Sequence, residues 1–303
     1  MTTATLPPQV TKPTGGVARG LVRALRPRQW SKNILVLAAP FASGNLAHLD
    51  VVARSGLAFV VFSMAASAIY LINDVKDVAA DRAHPTKCHR PIAAGVVPAG
   101  LAIMLAVALL ACSLALALLV APELAAVLVV YEIVQVGYCL GLKHQPVIDI
   151  CIVSSGFLLR AVAGGAAAGI ALSQWFLLAT AFGSLFMVAG KRYAEVRLFE
   201  STGAQIRKSL IGYSASYLRF VWTLSATVLL TTYGQWAFEI NARAHSPWPV
   251  ISMIPFAVAV LRYAVDVDGT AAGEPEEIVL GDRMLQTLGL LWAASLALAV
   301  YPS

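Results

Sequence analysis

Charge is what this chain has least of. Asp, Glu, Lys and Arg make up 13% of its 303 residues, against roughly 25% in ordinary soluble domains. Only four cysteines occur (Cys88, Cys112, Cys139 and Cys151), and none has metal-site spacing; three lie in or beside apolar runs, where they read as small buried hydrophobes. The five histidines are scattered, so no ligand cluster is expected from them. The net charge of +6 comes without a basic stripe interleaved with aromatics, and nucleic acid is not an expected partner. No short apolar core with a small-residue cleavage site follows the N-terminus, so no cleavable signal peptide is expected. Residues 1–27 are polar, basic and Pro/Gly-containing, and read as a mostly disordered tail leading into an interfacial segment.

What the chain does have is long hydrophobic runs. It is 59% hydrophobic with a mean hydropathy of +0.75, the composition of an all-α, polytopic membrane protein. A hydrocarbon core takes about 20 apolar residues per helix. Nine candidate spans result, at 31–48, 51–72, 98–120, 123–142, 146–169, 173–190, 215–238, 248–265 and 284–301, within one transmembrane catalytic domain over 28–303. Three long connections, 73–97, 191–214 and 266–283, then fall on the same side as the N-terminus. Of the 22 Lys and Arg residues, Arg54 and Arg243 lie on the opposite side, Arg160 lies inside a span, and the rest share the N-terminal side. That bias predicts a plasma-membrane protein with its N-terminus and long loops cytoplasmic and its C-terminus outside.

One motif stands at the membrane–water boundary: Asn73-Asp74-Val75-Lys76-Asp77-Val78-Ala79-Ala80-Asp81. A charge at a bilayer centre costs roughly 3 kcal/mol or more, so acids packed against a span usually have a task. On a helix, Asn73, Asp77 and Asp81 fall at about 0°, 40° and 80°, with Asp74 near 100°. Three like charges on one face repel unless a cation sits among them. Hard oxygen ligands select Mg²⁺, which commonly takes further oxygens from a substrate phosphate. Asp74, Asp77 and Asp81 are therefore the expected metal-holding and catalytic residues, with Asn73 fixing a substrate oxygen or orienting a carboxylate.

Together with this motif, Arg26-Pro-Arg-Gln-Trp-Ser-Lys-Asn33 before the first span and Tyr138-x-x-x-x-Lys143 after the fourth resemble the UbiA superfamily of intramembrane prenyltransferases. The resemblance covers nearly the whole chain from about residue 26. It implies a helical bundle around a central cavity open to the cytoplasm. Further stretches, His84-Pro-Thr-Lys87, Arg90-Pro-Ile-Ala-Ala-Gly95, Gly190-Lys-Arg-Tyr-Ala-Glu195 and Arg262-Tyr-Ala-Val-Asp-Val-Asp268, resemble the branch that acts on decaprenyl phosphate. That likeness implies 5-phosphoribosyl 1-diphosphate as donor, a polyprenyl (decaprenyl) phosphate as acceptor and a product that feeds cell-wall arabinan.

In the wider family a second Asp-rich loop follows the sixth span. Here the corresponding loop opens with Lys191, Arg192 and Tyr193, and Glu195 is its first acid and a further candidate metal ligand. Bases suit a site that meets more phosphate, which they bind by charge-assisted hydrogen bonds. Whether one or two metal ions bind stays open. Lys87, Arg90, Lys143, Lys191 and Arg192 are the expected cations for phosphate, with Tyr193 beside them.

Arg160 stands about eleven residues, or roughly 16 Å, into its span from Asp149. It either reaches the acceptor phosphate or pairs structurally with a buried acid or carbonyl. Lys32 either binds the 5-phosphate or snorkels to lipid headgroups. Asp266 and Asp268 read as helix-end and turn residues. Gly164, Gly165 and Gly169 allow close helix approach or leave a lipid groove. Membrane lipids are expected neighbours, and a homo-oligomer is left open. The competing reading is an aromatic prenyltransferase with a polyprenyl diphosphate donor, which predicts a mainly acidic second loop. A transporter would bury its polar groups nearer the midplane.

Overall fold

Long apolar runs form the helices, even where a run carries internal glycine, as Ile148–Ala168 does, or proline, as Trp248–Asp268 does at Pro255. The computed structural model describes residues 16–203, 210, 212–269 and 275–301. After the short helix α1 (Val17–Ala24) and a broken segment containing α2 (Ala38–Ala42), the long helix α3 spans Leu49–Lys76 and runs into α4 (Val78–Ala83). Then come α5 (Ala99–Val120), α6 (Pro122–Leu140), α7 (Ile148–Ala168), α8 (Gln174–Thr202), α9 (Ala215–Ala244), α10 (Trp248–Asp268), α11 (Pro275–Gly281) and α12 (Arg283–Val300). The chief packing pairs are α8 with α9, α3 with α5, α10 with α12, and α7 with both α6 and α8. One buried core joins α8, α9 and α10 around Phe186, Tyr193 and Trp222. A second joins α3, α6 and α7 around Phe62, Leu128 and Tyr131.

Six helices among the described residues (α3, α5, α6, α7, α10 and α12) are long and apolar enough to cross a membrane, against nine spans expected. The first expected span, 31–48, is not one helix. It is a 3-10 helix over Pro27–Leu37, the five residues of α2 and a turn at Gly44 with φ 74°. Pro40, inside the segment, has no N–H to donate and discourages a continuous α-helix across it. The segment is docked by side chains: Trp30 Nε1 donates to Ser67 Oγ at 3.0 Å, and Asn33 Nδ2 donates to Ser63 Oγ at 2.9 Å. It crosses α7 at Gly164, where a Cβ would stand 1.7 Å from the Val36 carbonyl oxygen. Of the two roles open to that glycine, the structure gives close approach.

The second difference is at α8. The sequence suggested a loop from 191, but the helix continues to Thr202, so Lys191, Arg192, Tyr193 and Glu195 are helical residues. Of the expected tail, residues 1–15 lie outside those described, while α1 packs its Gly20 against Val96 and Val97. Cys139 alone among the four cysteines is buried. A cavity of about 520 Å³, lined among others by Ser43, Phe176, Trp236, Arg243 and Leu298, sits at the end of the bundle remote from the aspartates.

Candidate active site

The acidic motif straddles a helix break. α3 ends at Lys76, and Asp77, with φ −92° and ψ 7°, opens α4. The break leaves the spacing intact, since the Asp77 N–H reaches the Asn73 carbonyl at 2.9 Å and the Asp81 N–H reaches that of Asp77 at 2.8 Å. Asp74 and Asp81 are buried, at 2% and 3% exposure, which an ionised carboxylate tolerates only with partners.

Those partners are cations from three other segments. Arg26 Nη2 donates to Asp74 Oδ1 at 2.5 Å. Arg90 Nη1 lies between two carboxylates, 3.1 Å from Asp74 Oδ1 and 2.8 Å from Asp81 Oδ2. Lys143 Nζ grips both oxygens of Asp77, at 2.5 and 2.7 Å, and stands 3.4 Å from Asn73 Oδ1. Two expected cations, Arg90 and Lys143, thus converge on the motif. Lys87 sits on the 3-10 turn just ahead of Arg90.

Arg26 was not among the expected site residues, although it opens the Arg-Pro motif that marks the segment. A residue before proline is disfavoured in the right-handed helical region, and Arg26 takes φ 53°, ψ 60°. That left-handed turn accompanies a guanidinium placed on Asp74 and 4.8 Å above the Tyr70 ring. Lys32 lies in the same 3-10 segment.

The remaining expected residues lie elsewhere. Arg160 is buried. Its Nε donates to Asn33 Oδ1 at 2.6 Å, its Nη1 to the Gly156 carbonyl at 2.6 Å and its Nη2 to Tyr131 OH at 3.2 Å. These partners are protein groups, one of them a backbone carbonyl. Arg192, 4% exposed, faces Asp149 Oδ2 at 3.7 Å and Glu195 Oε2 at 3.3 Å. Glu195 therefore turns to Arg192. Tyr193 is fully buried, stacks on Trp222, donates to Asp268 Oδ1 at 2.6 Å and accepts a short hydrogen bond from Arg219. Asp266 pairs with Arg262 at 3.4 Å. Lys191 precedes Arg192 on the same helix.

Two residues near this region carried no sequence signal. Asp149, in the first turn of α7, accepts a short hydrogen bond from Tyr213, and the Val147 N–H donates to the same phenol at 2.5 Å. Burial, aided by the donation to Asp149, pushes the Tyr213 phenol up, so it stays protonated at neutral pH.

The donor set suits a hard divalent ion. Two buried carboxylates already turn one oxygen each toward a single positive centre, the Arg90 nitrogen, and carboxylate oxygens are the ligands Mg²⁺ prefers. Among the described residues, no three acidic, His or Cys side chains converge closely enough to hold an ion alone. The sequence suggested a three-aspartate site. Asp77 is turned to Lys143 instead.

Similarity to known proteins is extensive. The sequence model of the UbiA prenyltransferase family matches residues 34–301. A decaprenyl-phosphate phosphoribosyltransferase of Mycobacterium tuberculosis is 60% identical over 295 residues, covering 96% of this chain and 97% of that protein. Its counterpart in Corynebacterium glutamicum is 54% identical, covering 96% and 89%. Among solved structures, a UbiA homolog from Archaeoglobus fulgidus bound to DMAPP and Mg²⁺ superposes with a TM-score of 0.70 at 17% identity, covering 94% of this chain and all of that one. At that identity the likeness speaks for the fold alone.

Proposed function

Since the chain belongs to the UbiA prenyltransferase family, and relatives 54–60% identical along nearly its whole length are decaprenyl-phosphate phosphoribosyltransferases, we propose that it transfers 5-phosphoribose from 5-phosphoribosyl 1-diphosphate to decaprenyl phosphate. The observation that carries this reading is the interleaving of three aspartates with Arg26, Arg90 and Lys143 at one end of the bundle. A diphosphate donor needs both kinds of group: acids for its counter-ion and bases for its oxygens. The Lys/Arg asymmetry supports placing this end at the cytoplasmic face of the plasma membrane, where a water-soluble donor and a lipid acceptor meet.

In the reaction, an oxygen of the acceptor phosphate forms a bond to ribose C1. The C1–O bond to diphosphate breaks, and its electron pair leaves with the diphosphate. Attack from the opposite face inverts the anomeric centre. The acceptor phosphate is already ionised at neutral pH, so no general base is required. Positive charge grows on the ribose ring and negative charge on the leaving group as the bond stretches. Arg26, Arg90 and Lys143, aimed at that diphosphate, then stabilise the transition state more than the ground state. Asp74 and Asp81, with Asp77 once it leaves Lys143, would hold Mg²⁺, which supplies further charge neutralisation when bound. Asn73 orients Lys143 beside them.

The test uses purified protein with ribose-labelled 5-phosphoribosyl diphosphate and decaprenyl phosphate. Label should pass into the lipid extract with one diphosphate released per transfer, and EDTA should stop it until Mg²⁺ is restored. Label that stays in the aqueous phase while an aromatic acid is prenylated from a prenyl diphosphate would replace this reading.

A further inference from the structure

The turn that carries Lys143 is strained, and it is held from outside. Between α6 and α7 the chain passes through Gly141 at φ 147°, a 3-10 turn over Leu142–His144, and Val147 at φ 70°. A β-branched residue at positive φ is an outlier, and such a conformation persists only where its surroundings over-determine it. Here the surroundings come from the segment before α9. Tyr213 takes the Val147 N–H on its hydroxyl and gives its own proton to Asp149 Oδ1. Asp149, at 1% exposure, turns its other oxygen to Arg192. Pro146 lies so close to Gly212 that a Cβ there would stand 2.7 Å from its ring.

This grip is passed back to Lys143 by the backbone. The Asp149 N–H bonds the Gln145 carbonyl at 3.1 Å, the Gln145 N–H that of Leu142 at 3.1 Å, and the His144 N–H that of Gly141 at 3.0 Å. A connected path of hydrogen bonds therefore joins the phenol to the lysine's turn. We propose that Tyr213 and Asp149 are positioning residues that lock this turn so that Lys143 stands at Asp77, ready for the donor's diphosphate. The kinetic consequence rests on the phosphoribosyl-transfer reading; the placement of Lys143 does not. A pair that served only as a joint between α7 and α9 would alter stability and leave Lys143 where it is.

The experiment compares wild type, Tyr213→Phe and Asp149→Asn, purified in detergent, by brief acetylation and mass spectrometry. Lys143 is shielded by Asp77, whereas Lys76 is exposed and serves as the internal control. Acetylation of Lys143 should rise about threefold or more in both variants, as expected for local opening, with Lys76 unchanged. In turnover, KM for the donor should rise about tenfold while that for the acceptor holds. Unchanged Lys143 labelling in a folded variant overturns the proposal. So does failure of both variants to fold, which would assign the pair to the fold alone. If wild type turns over no phosphoribosyl diphosphate, the functional reading fails while the labelling still decides the role of Tyr213.

Discussion

Arg26 and Asp74, 48 residues apart in sequence, meet at 2.5 Å. With Arg90 shared between Asp74 and Asp81, and Lys143 on Asp77, each acid of the motif already has a protein cation. On the proposed function, metal and substrate exchange partners with this network. A divalent ion alone would have to displace Arg90 or Lys143 with only water to receive them. A diphosphate arriving with the ion receives them at once.

Binding should for that reason be co-operative. Mn²⁺, read by electron paramagnetic resonance, is expected to bind the ligand-free protein weakly and at least about tenfold more tightly with inorganic diphosphate present, a coupling of about 1.4 kcal/mol. Equal affinity in both conditions would count against partner exchange.

Asp74→Asn keeps the shape and removes the charge. Arg26 and Arg90 are partly exposed, so their guanidinium groups can turn to water, and the variant should remain folded. Its kcat/KM should fall by about 10²–10³, the range found when an electrostatic catalytic group is lost. Steady-state assays beside a melting curve separate the two effects, and near-normal turnover would remove Asp74 from the site.

Much of this was legible in the sequence. Apolar runs gave α5, α6 and α7 to within about two residues at each end, the usual precision of helix boundaries; the acidic motif stood out by residue type and spacing, and Arg90 and Lys143 through the family resemblance. What escaped has a common cause: it depends on partners distant in sequence. The α8 extension to Thr202 carries polar residues whose helical state is set by packing, as Tyr193 against Trp222 shows. The 3-10 segment depends on Ser63 and Ser67, two serines unremarkable in an apolar helix. Asp149 and Tyr213 belong to no motif and meet only in the fold.

Arg160 was open between a substrate role and a structural one, and its bonds to Asn33, Gly156 and Tyr131 give it structural work. Replacing it by alanine orphans the buried Asn33 oxygen and unpins the 3-10 segment, at a cost of about 3 kcal/mol. Lysine cannot reproduce the fork of three bonds and should not rescue. The check is thermal unfolding in detergent. A variant of normal stability with a raised acceptor KM would return Arg160 to the substrate.

Gly164 offers the sharpest test of how the site is built. A Cβ on this residue would stand 1.7 Å from the Val36 oxygen and 2.7 Å from its carbonyl carbon, and backbone cannot swing aside as a side-chain tip can. Gly164→Ala must therefore push the 3-10 segment off α7. That segment carries Asn33 and leads directly from Arg26, so displacing it pulls a cation from Asp74. The expected outcome is loss of folded protein, or a folded remnant with a lowered melting temperature and little turnover. Gly56→Ala is the matched control: it lies in α3, no atom stands within 4 Å of the added carbon, and helix propensity alone should stabilise by up to about 1 kcal/mol. If both variants melt and turn over like wild type, the close crossing at Gly164 does not hold Arg26 in place.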